Sequence, residues 1–311
     1  MLHLARVTKS SPNVDRLAAW YEGVLGLRRL FSTSSKGSVL LALPPCFELH
    51  LVEGAAGRLI EPPYEVDKRV TFDQAALQRG HRIAFRIVSL DHAEDVLCKW
   101  KVDFSVHWKS NFRRVFCFDP DGNGVELEDC GGQLPNVPSA SGTPVSLFDF
   151  RGARPGFAAR FAGDTVGVLN FIHRAVESMN ADTCTRFYKD LLGLREHARP
   201  ASERIDGRSL FAPPGALIHV EETDAQSAAS PLPEGPRSCG RTVPAELDPS
   251  ELRNGHHLAF AAPPGGTARC RALLASLGVR VHEEAGGGLY FFDVDGNGLC
   301  VTDAPLWTGL Q

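Results

Sequence analysis

Eight cysteines are scattered along the 311-residue chain without a single Cys-x-x-Cys pair, and several sit inside apolar runs. A thiol in such a run behaves as a small hydrophobe. A disulfide scaffold is therefore excluded, and a reduced, cytoplasmic setting is expected. No run of Lys and Arg interleaves with aromatics, and the formal net charge is −4, which argues against nucleic acid as a partner. No apolar stretch approaches the length of a membrane span, and Met1-Leu2-His3 opens without a signal-peptide pattern, so no membrane partner is expected. There is no Gly-x-Ser-x-Gly nucleophile motif. The run Ala285-Gly286-Gly287-Gly288 reads as a hairpin loop, because it lacks the strand-to-helix context of a phosphate cradle. What remains is an ordinary globular composition, 43% hydrophobic and 23% charged, at a length that suggests two domains.

The chain is a duplication. Trp20-Tyr21-Glu22-Gly23-Val24-Leu25-Gly26-Leu27 returns as Phe187-Tyr188-Lys189-Asp190-Leu191-Leu192-Gly193-Leu194. Phe118-Asp119-Pro120-Asp121-Gly122-Asn123-Gly124 returns as Phe292-Asp293-Val294-Asp295-Gly296-Asn297-Gly298. Between these landmarks, Phe47-Glu48-Leu49-His50 matches Ala216-Leu217-Ile218-His219, and Gly80-His81-Arg82 matches Gly255-His256-His257. Their order is kept at a nearly constant offset, which marks a repeated structural unit.

Each half divides again. Alternation predicts strands, clearest where Phe47, Leu49 and Leu51 interleave with Glu48 and His50. Apolar residues three and four apart predict helices over 14–25, 91–100, 181–192 and 267–277. The Asp-Gly-Asn-Gly stretches predict tight hairpins, since these residues tolerate positive φ. The expected fold class is α+β, with four βαβββ units. The expected organisation is a first domain over 1–130, a linker over 131–165 and a second domain over 166–305. Segments 54–79 and 223–254, rich in Pro and Ser, read as long loops.

The Trp20-Tyr21-x3-Leu25-Gly26-Leu27 and Asp119-Pro120-Asp121-Gly122-Asn123-x2-Glu126 patterns resemble the vicinal oxygen chelate superfamily, which includes glyoxalase I, extradiol dioxygenases and bleomycin resistance proteins. The resemblance covers nearly the whole chain outside the loops. It implies that the four units pair into two vicinal oxygen chelate domains, each a cup with a divalent metal (Zn, Ni or Fe) on its floor. It further implies a small-molecule substrate that chelates through adjacent oxygens. Metal ligands would come from the first and last strands of paired units. In the second half these positions point to His173, fifteen residues before Tyr188, with His219, His257 and Cys300. In the first half they point to His3, Glu48, His81 and Glu126, although His3 needs a loop insertion and His81 a β-bulge. Arg82 otherwise holds the ligand position.

Two readings of the first cup stay open. With metal, Glu126 or Glu48 would serve as the catalytic base for a proton beside a carbonyl. Without it, two inward carboxylates repel, and Arg82 and Arg86 on a neighbouring strand would neutralise them or clamp an anionic substrate group. At the level of the molecule, a metal-dependent glyoxalase- or dioxygenase-type enzyme stands beside a metal-free ligand-binding protein of bleomycin-resistance type. A partner-binding role for the two long loops is a third expectation. Duplication within one chain fits a monomer or a homodimer.

Overall fold

The computed structural model describes residues 2–30, 37–43, 46–54, 82–87, 89–109, 112–129, 137–138, 144–145, 164–197, 207–222 and 248–303. The first unit runs β1 (His3–Ser11), α1 (Val14–Gly23), β2 (Arg28–Arg29), β3 (Ser38–Leu43) and β4 (Phe47–Glu53). The second runs β5 (Arg82–Ile87), α2 (Leu90–Lys99), β6 (Phe104–Lys109), β7 (Phe112–Phe118) and β8 (Gly124–Asp129). Two short strands follow, β9 (Val137–Pro138) and β10 (Pro144–Val145), which pair with each other. The third unit runs β11 (Val168–Ser178), α3 (Ala181–Leu192), β12 (Arg195–His197), β13 (Gly207–Ala212) and β14 (Ala216–Glu222). The fourth runs β15 (His257–Ala261), α4 (Gly266–Ser276), β16 (His282–Glu283), β17 (Leu289–Phe292) and β18 (Gly298–Thr302). Segment 223–254, read as loop, ends in a 3₁₀ helix over Pro249–Asn254. The rest of it up to residue 247 and all of 55–79 fall outside the described residues.

Local chemistry places these elements. Asn13 caps α1 through Arg16 N, and Asn180 caps α3 through Thr183 N. Gly193 ends α3 in the left-handed region, at φ 69°. In both hairpins one aspartate organises the turn: Asp119 Oδ1 accepts from the backbone amides of Asp121 and Asn123, and Asp293 Oδ1 from those of Asp295 and Asn297. The glycines that follow, Gly122 and Gly296, sit at φ 85° and 89°. Each helix is tied to its half's hairpin by a buried tyrosine, Tyr21 Oη donating to Asp119 and Tyr188 Oη to Asp293. The two sequence landmarks of each half are thus physical partners.

The sheets are organised differently from the sequence halves. One eight-stranded sheet has the order β16-β17-β18-β15-β1-β4-β3-β2, and the other β12-β13-β14-β11-β5-β8-β7-β6. The first unit pairs with the fourth, through β1 against β15, and the second with the third, through β5 against β11. The repeat boundaries 1–130 and 166–305 therefore describe the duplication, while each cup draws on both halves. The odd-numbered residues of β4, such as Phe47, Leu49 and Leu51, and their equivalents Ile83, Phe85, Val125 and Leu127 in the other sheet enter the buried core. The intervening residues line the opposite face of each sheet. A sheet register slip of one would exchange the two sets.

Candidate functional site

Crossed pairing regroups the expected ligands among the described residues. The concave floor of the second sheet carries Arg82, Ala84 and Arg86 from β5, Glu126 and Glu128 from β8, His173 from β11 and His219 and Glu221 from β14. Register sets Ala84 opposite both Glu126 and His173. Arg82, 1% exposed, is the centre of this floor. Its Nε donates to Glu126 at 2.6 Å, and its two terminal nitrogens fork onto Glu221 at 2.8 and 2.7 Å. Burial opposes the guanidinium charge, but Glu221 and Glu126 outweigh it and raise the pKa. Burial likewise pushes the Glu126 carboxyl up, yet Arg82, Arg114 and His173 hold it well below the usual range. His173 Nε2 lies 3.2 Å from Glu126 Oε2, and its ring stacks on His219 with centroids 3.9 Å apart.

The first sheet repeats the design with other residues. Fifteen residues before Tyr21 stands Arg6, in the place His173 takes in the third unit. Arg6 faces Glu48 directly across β1 and β4, and its Nε and Nη2 reach Glu48 Oε2 at 2.8 and 2.6 Å. Burial, the larger effect, still raises the Glu48 pKa against the pull of Arg6. Thr8 lies between His50 on β4 and His257 on β15. Burial and the Arg6 charge keep both imidazoles neutral: His50 is lowered to about 3, His257 to about 4. His257 Nδ1 bonds the Gly255 carbonyl at 3.0 Å. Burial pushes the Cys300 thiol up to about 12, so it stays protonated. His3 is exposed at the far end of β1, opposite Ala261, and is not part of the floor. His81 lies outside the described residues.

The expected quartets are thus dissolved. His173 and His219 share a floor with Arg82 and Glu126, whereas His257 and Cys300 share one with Arg6 and Glu48. Arg6 is the floor residue that sequence reasoning passed over in favour of His3; the count of fifteen back from Tyr21 is the signal that finds it.

No family model matches the chain, and no curated protein matches it. Solved structures do. Glyoxalase I from Zea mays superposes with a TM-score of 0.57 at 10% identity, over 97% of this chain and 92% of that one. A mutant form of the same enzyme gives 0.59 at 11% identity, over 97% and 92%. A candidate dioxygenase from Bacillus subtilis subsp. subtilis str. 168 gives 0.57 at 15% identity, over 97% and 86%. The fold is glyoxalase-like. Two mixed sheets, each of eight strands built from two βαβββ units, are its architecture here.

The residues on the floors of these two sheets do not suit a divalent metal. Among the described residues no group of three or more His, Cys, Asp or Glu side chains is arranged to hold one. In the second sheet, the stacked rings of His173 and His219 lie 21° from parallel, so their in-plane lone pairs do not converge on one ion. A dication beside Glu126 would also meet Arg82, which already holds that carboxylate. In the first sheet, Arg6 takes Glu48. Each cup carries a guanidinium bonded to the carboxylate that would otherwise hold metal.

Proposed function

We propose that this chain is a metal-independent small-molecule-binding protein, with the concave face of the second sheet as its ligand site. The observation that carries this reading is a concentration of under-satisfied buried polar atoms on that face. Among the described residues, Arg86 Nε and Ser105 Oγ are buried without a hydrogen-bond partner. Ser105 shares the face with Glu126, because register sets Ser105 opposite Phe116 and Phe116 opposite Glu126. Among the described residues, Glu126 Oε1 and His173 Nε2 likewise have ion-pair contacts at 3.2 Å, to Arg114 and to the other Glu126 oxygen, without a hydrogen bond of good geometry. An unmet buried donor or acceptor costs about 1–3 kcal/mol. Such groups gathered on one floor define where a polar ligand gains most by binding.

Arg82 is saturated by Glu126 and Glu221, so it organises the floor rather than clamping a ligand. Arg86 is the better hand for an anionic group, since the Glu128 carboxylate beside it stands 3.8 Å away. Glu126, held ionised and weakly basic, suits recognition of a donor more than proton abstraction. The ligand is thus a small molecule with both an anionic group and hydrogen-bond donors.

Elemental mass spectrometry tests the metal-independent part. Protein loaded with Zn²⁺, Ni²⁺ and Fe²⁺ and then gel-filtered is expected to retain under ~0.1 equivalent of each. One equivalent retained, and lost in both His173→Ala and Glu126→Ala, would overturn the reading. Native mass spectrometry of the same sample then looks for a retained organic molecule that Arg86→Met releases.

A further inference from the structure

The duplication gives each residue of the first floor a counterpart in the second, and the two floors differ in charge. Thr8 on β1 and Ala175 on β11 each stand thirteen residues before a helix tyrosine, Tyr21 or Tyr188. Strand order and register supply the other counterparts: His50 answers to His219, His257 to Arg82, Cys300 to Glu126 and Val52 to Glu221. In the second floor Arg82, Glu126 and Glu221 are charged and satisfy one another. In the first floor a neutral imidazole, a thiol and an aliphatic group take those places. The Arg6–Glu48 pair beside them is closed on itself.

The first floor also gains a hydroxyl. Thr8 is 2% exposed, and among the described residues its Oγ1 is buried without a hydrogen-bond partner. His50 on β4 and His257 on β15 are its direct cross-strand neighbours, so the three side chains share one face. His257 Nδ1 donates to the Gly255 carbonyl at 3.0 Å, which leaves Nε2 of the neutral ring as an acceptor. Arg6, His50 and Tyr290 on the same face are part-exposed, so solvent reaches the floor beside the buried hydroxyl.

We propose that this face of the first sheet is a second ligand site, holding an uncharged alcohol whose hydroxyl accepts from Thr8 Oγ1 and donates to His257 Nε2. A hydroxyl oxygen can do both at one atom. An ether or a carboxylate has no hydrogen for Nε2, and an ammonium has no lone pair for the Thr8 hydrogen. A cation is opposed as well by the Arg6 charge, which reaches both His50 and His257. The site lies on the other sheet from the anionic ligand proposed above and does not rest on it.

The test is nitrogen NMR of the histidine rings in the full chain, titrated near neutral pH with cyclohexanol, methoxycyclohexane and cyclohexanecarboxylate. Cyclohexanol is expected to move the His257 Nε2 resonance saturably while Nδ1 stays in place. The ether and the carboxylate are expected to bind at least about tenfold more weakly, the loss of one buried hydrogen bond. Thr8→Val keeps the shape and removes an unmet buried group, so it is expected to fold and to bind cyclohexanol about fivefold more weakly or worse. If Thr8→Val does not fold, the three ligands compared on the natural chain decide alone. The site is overturned by an Nε2 resonance that stays in place at millimolar cyclohexanol, as when water alone meets Thr8. Equal binding of the ether or the carboxylate, or undiminished binding in folded Thr8→Val, would overturn it too.

Discussion

A guanidinium at 1% exposure is tolerable only because carboxylates from two different strands meet it, Glu126 from β8 and Glu221 from β14. Removing it takes the forked partner from Glu221 and leaves Glu126 only Arg114 and His173 in a low-dielectric floor, which is where large losses arise. Arg82→Met is expected to lower stability by about 3–5 kcal/mol, read as a fall in the urea midpoint. Arg82→Lys keeps the charge but loses the fork onto Glu221, so a smaller loss is expected. A midpoint unchanged in Arg82→Met would contradict the ion-pair account of this floor. The imidazoles of the other sheet make a pH prediction. His50 and His257 stay neutral in the fold down to about 3 and 4, while unfolded histidine binds a proton near 6.5. Between pH ~6.5 and ~4 the unfolded chain thus takes up protons that the fold refuses, and stability falls as the pH falls. For the buried His257 the effect is on the order of 2–3 kcal/mol. The thermal midpoint of His257→Gln is expected to decline less over this window than that of the natural chain; an identical decline would refute the assignment.

At the scale of the element, the two hairpins share one turn and differ in electrostatics. Asp119 faces the buried Lys9 ammonium at 3.3 Å, whereas the residue equivalent to Lys9 in the third unit is Val176. Burial lowers Lys9 to about 8 and raises Asp293, which has no such lysine, to about 6. Asp119→Asn therefore leaves a buried cation unpaired and is expected to cost about 3–5 kcal/mol, while Asp293→Asn orphans no charge and should cost about 1–2 kcal/mol. Equal losses in chemical denaturation would show that the turn bonds, not Lys9, dominate. Asp293 also adds stability that is present below pH ~3.8 and lost as the pH rises through about 6, so its sign opposes that of the histidines. Raised carboxyls apart, these hairpins, and the helices tied to them by Tyr21 and Tyr188, were legible because their chemistry is local: turn residues, caps and 3.6-residue periodicity. Helix 181–192 is placed as its periodicity predicts, and helix 91–100 is observed over Leu90–Lys99. The floors were less legible. Which carboxylate meets which arginine depends on strand neighbours: the spacing from Tyr21 puts Arg6 on the floor, but only the pairing of β1 with β4 brings it to Glu48.

For the whole molecule, the decisive choice is which first strand pairs with which. All four first strands are apolar on one face and carry polar residues on the other, so the sequence alone leaves β1 free to pair with β5 or β15. The structure selects β15 for β1 and β11 for β5, and the bonds across the halves, Arg82 to Glu221 and Leu4 N to Pro213 O, hold that choice. It follows that neither half closes a cup. A chain of residues 1–130 would present β1 and β5 as open edges, each with an unpaired ladder of donors and acceptors and an apolar face only partly covered. Expressed alone, it is expected to self-associate or aggregate rather than run as a folded monomer in size-exclusion chromatography with light scattering. Co-expressed with residues 131–311, it is expected to form a 1:1 complex with the mass of the intact chain, because the missing strands are supplied by the partner half. A stable monomer of 1–130 with a cooperative urea transition would show that β1 and β5 can pair with each other, and that the crossed arrangement is not needed to build these cups.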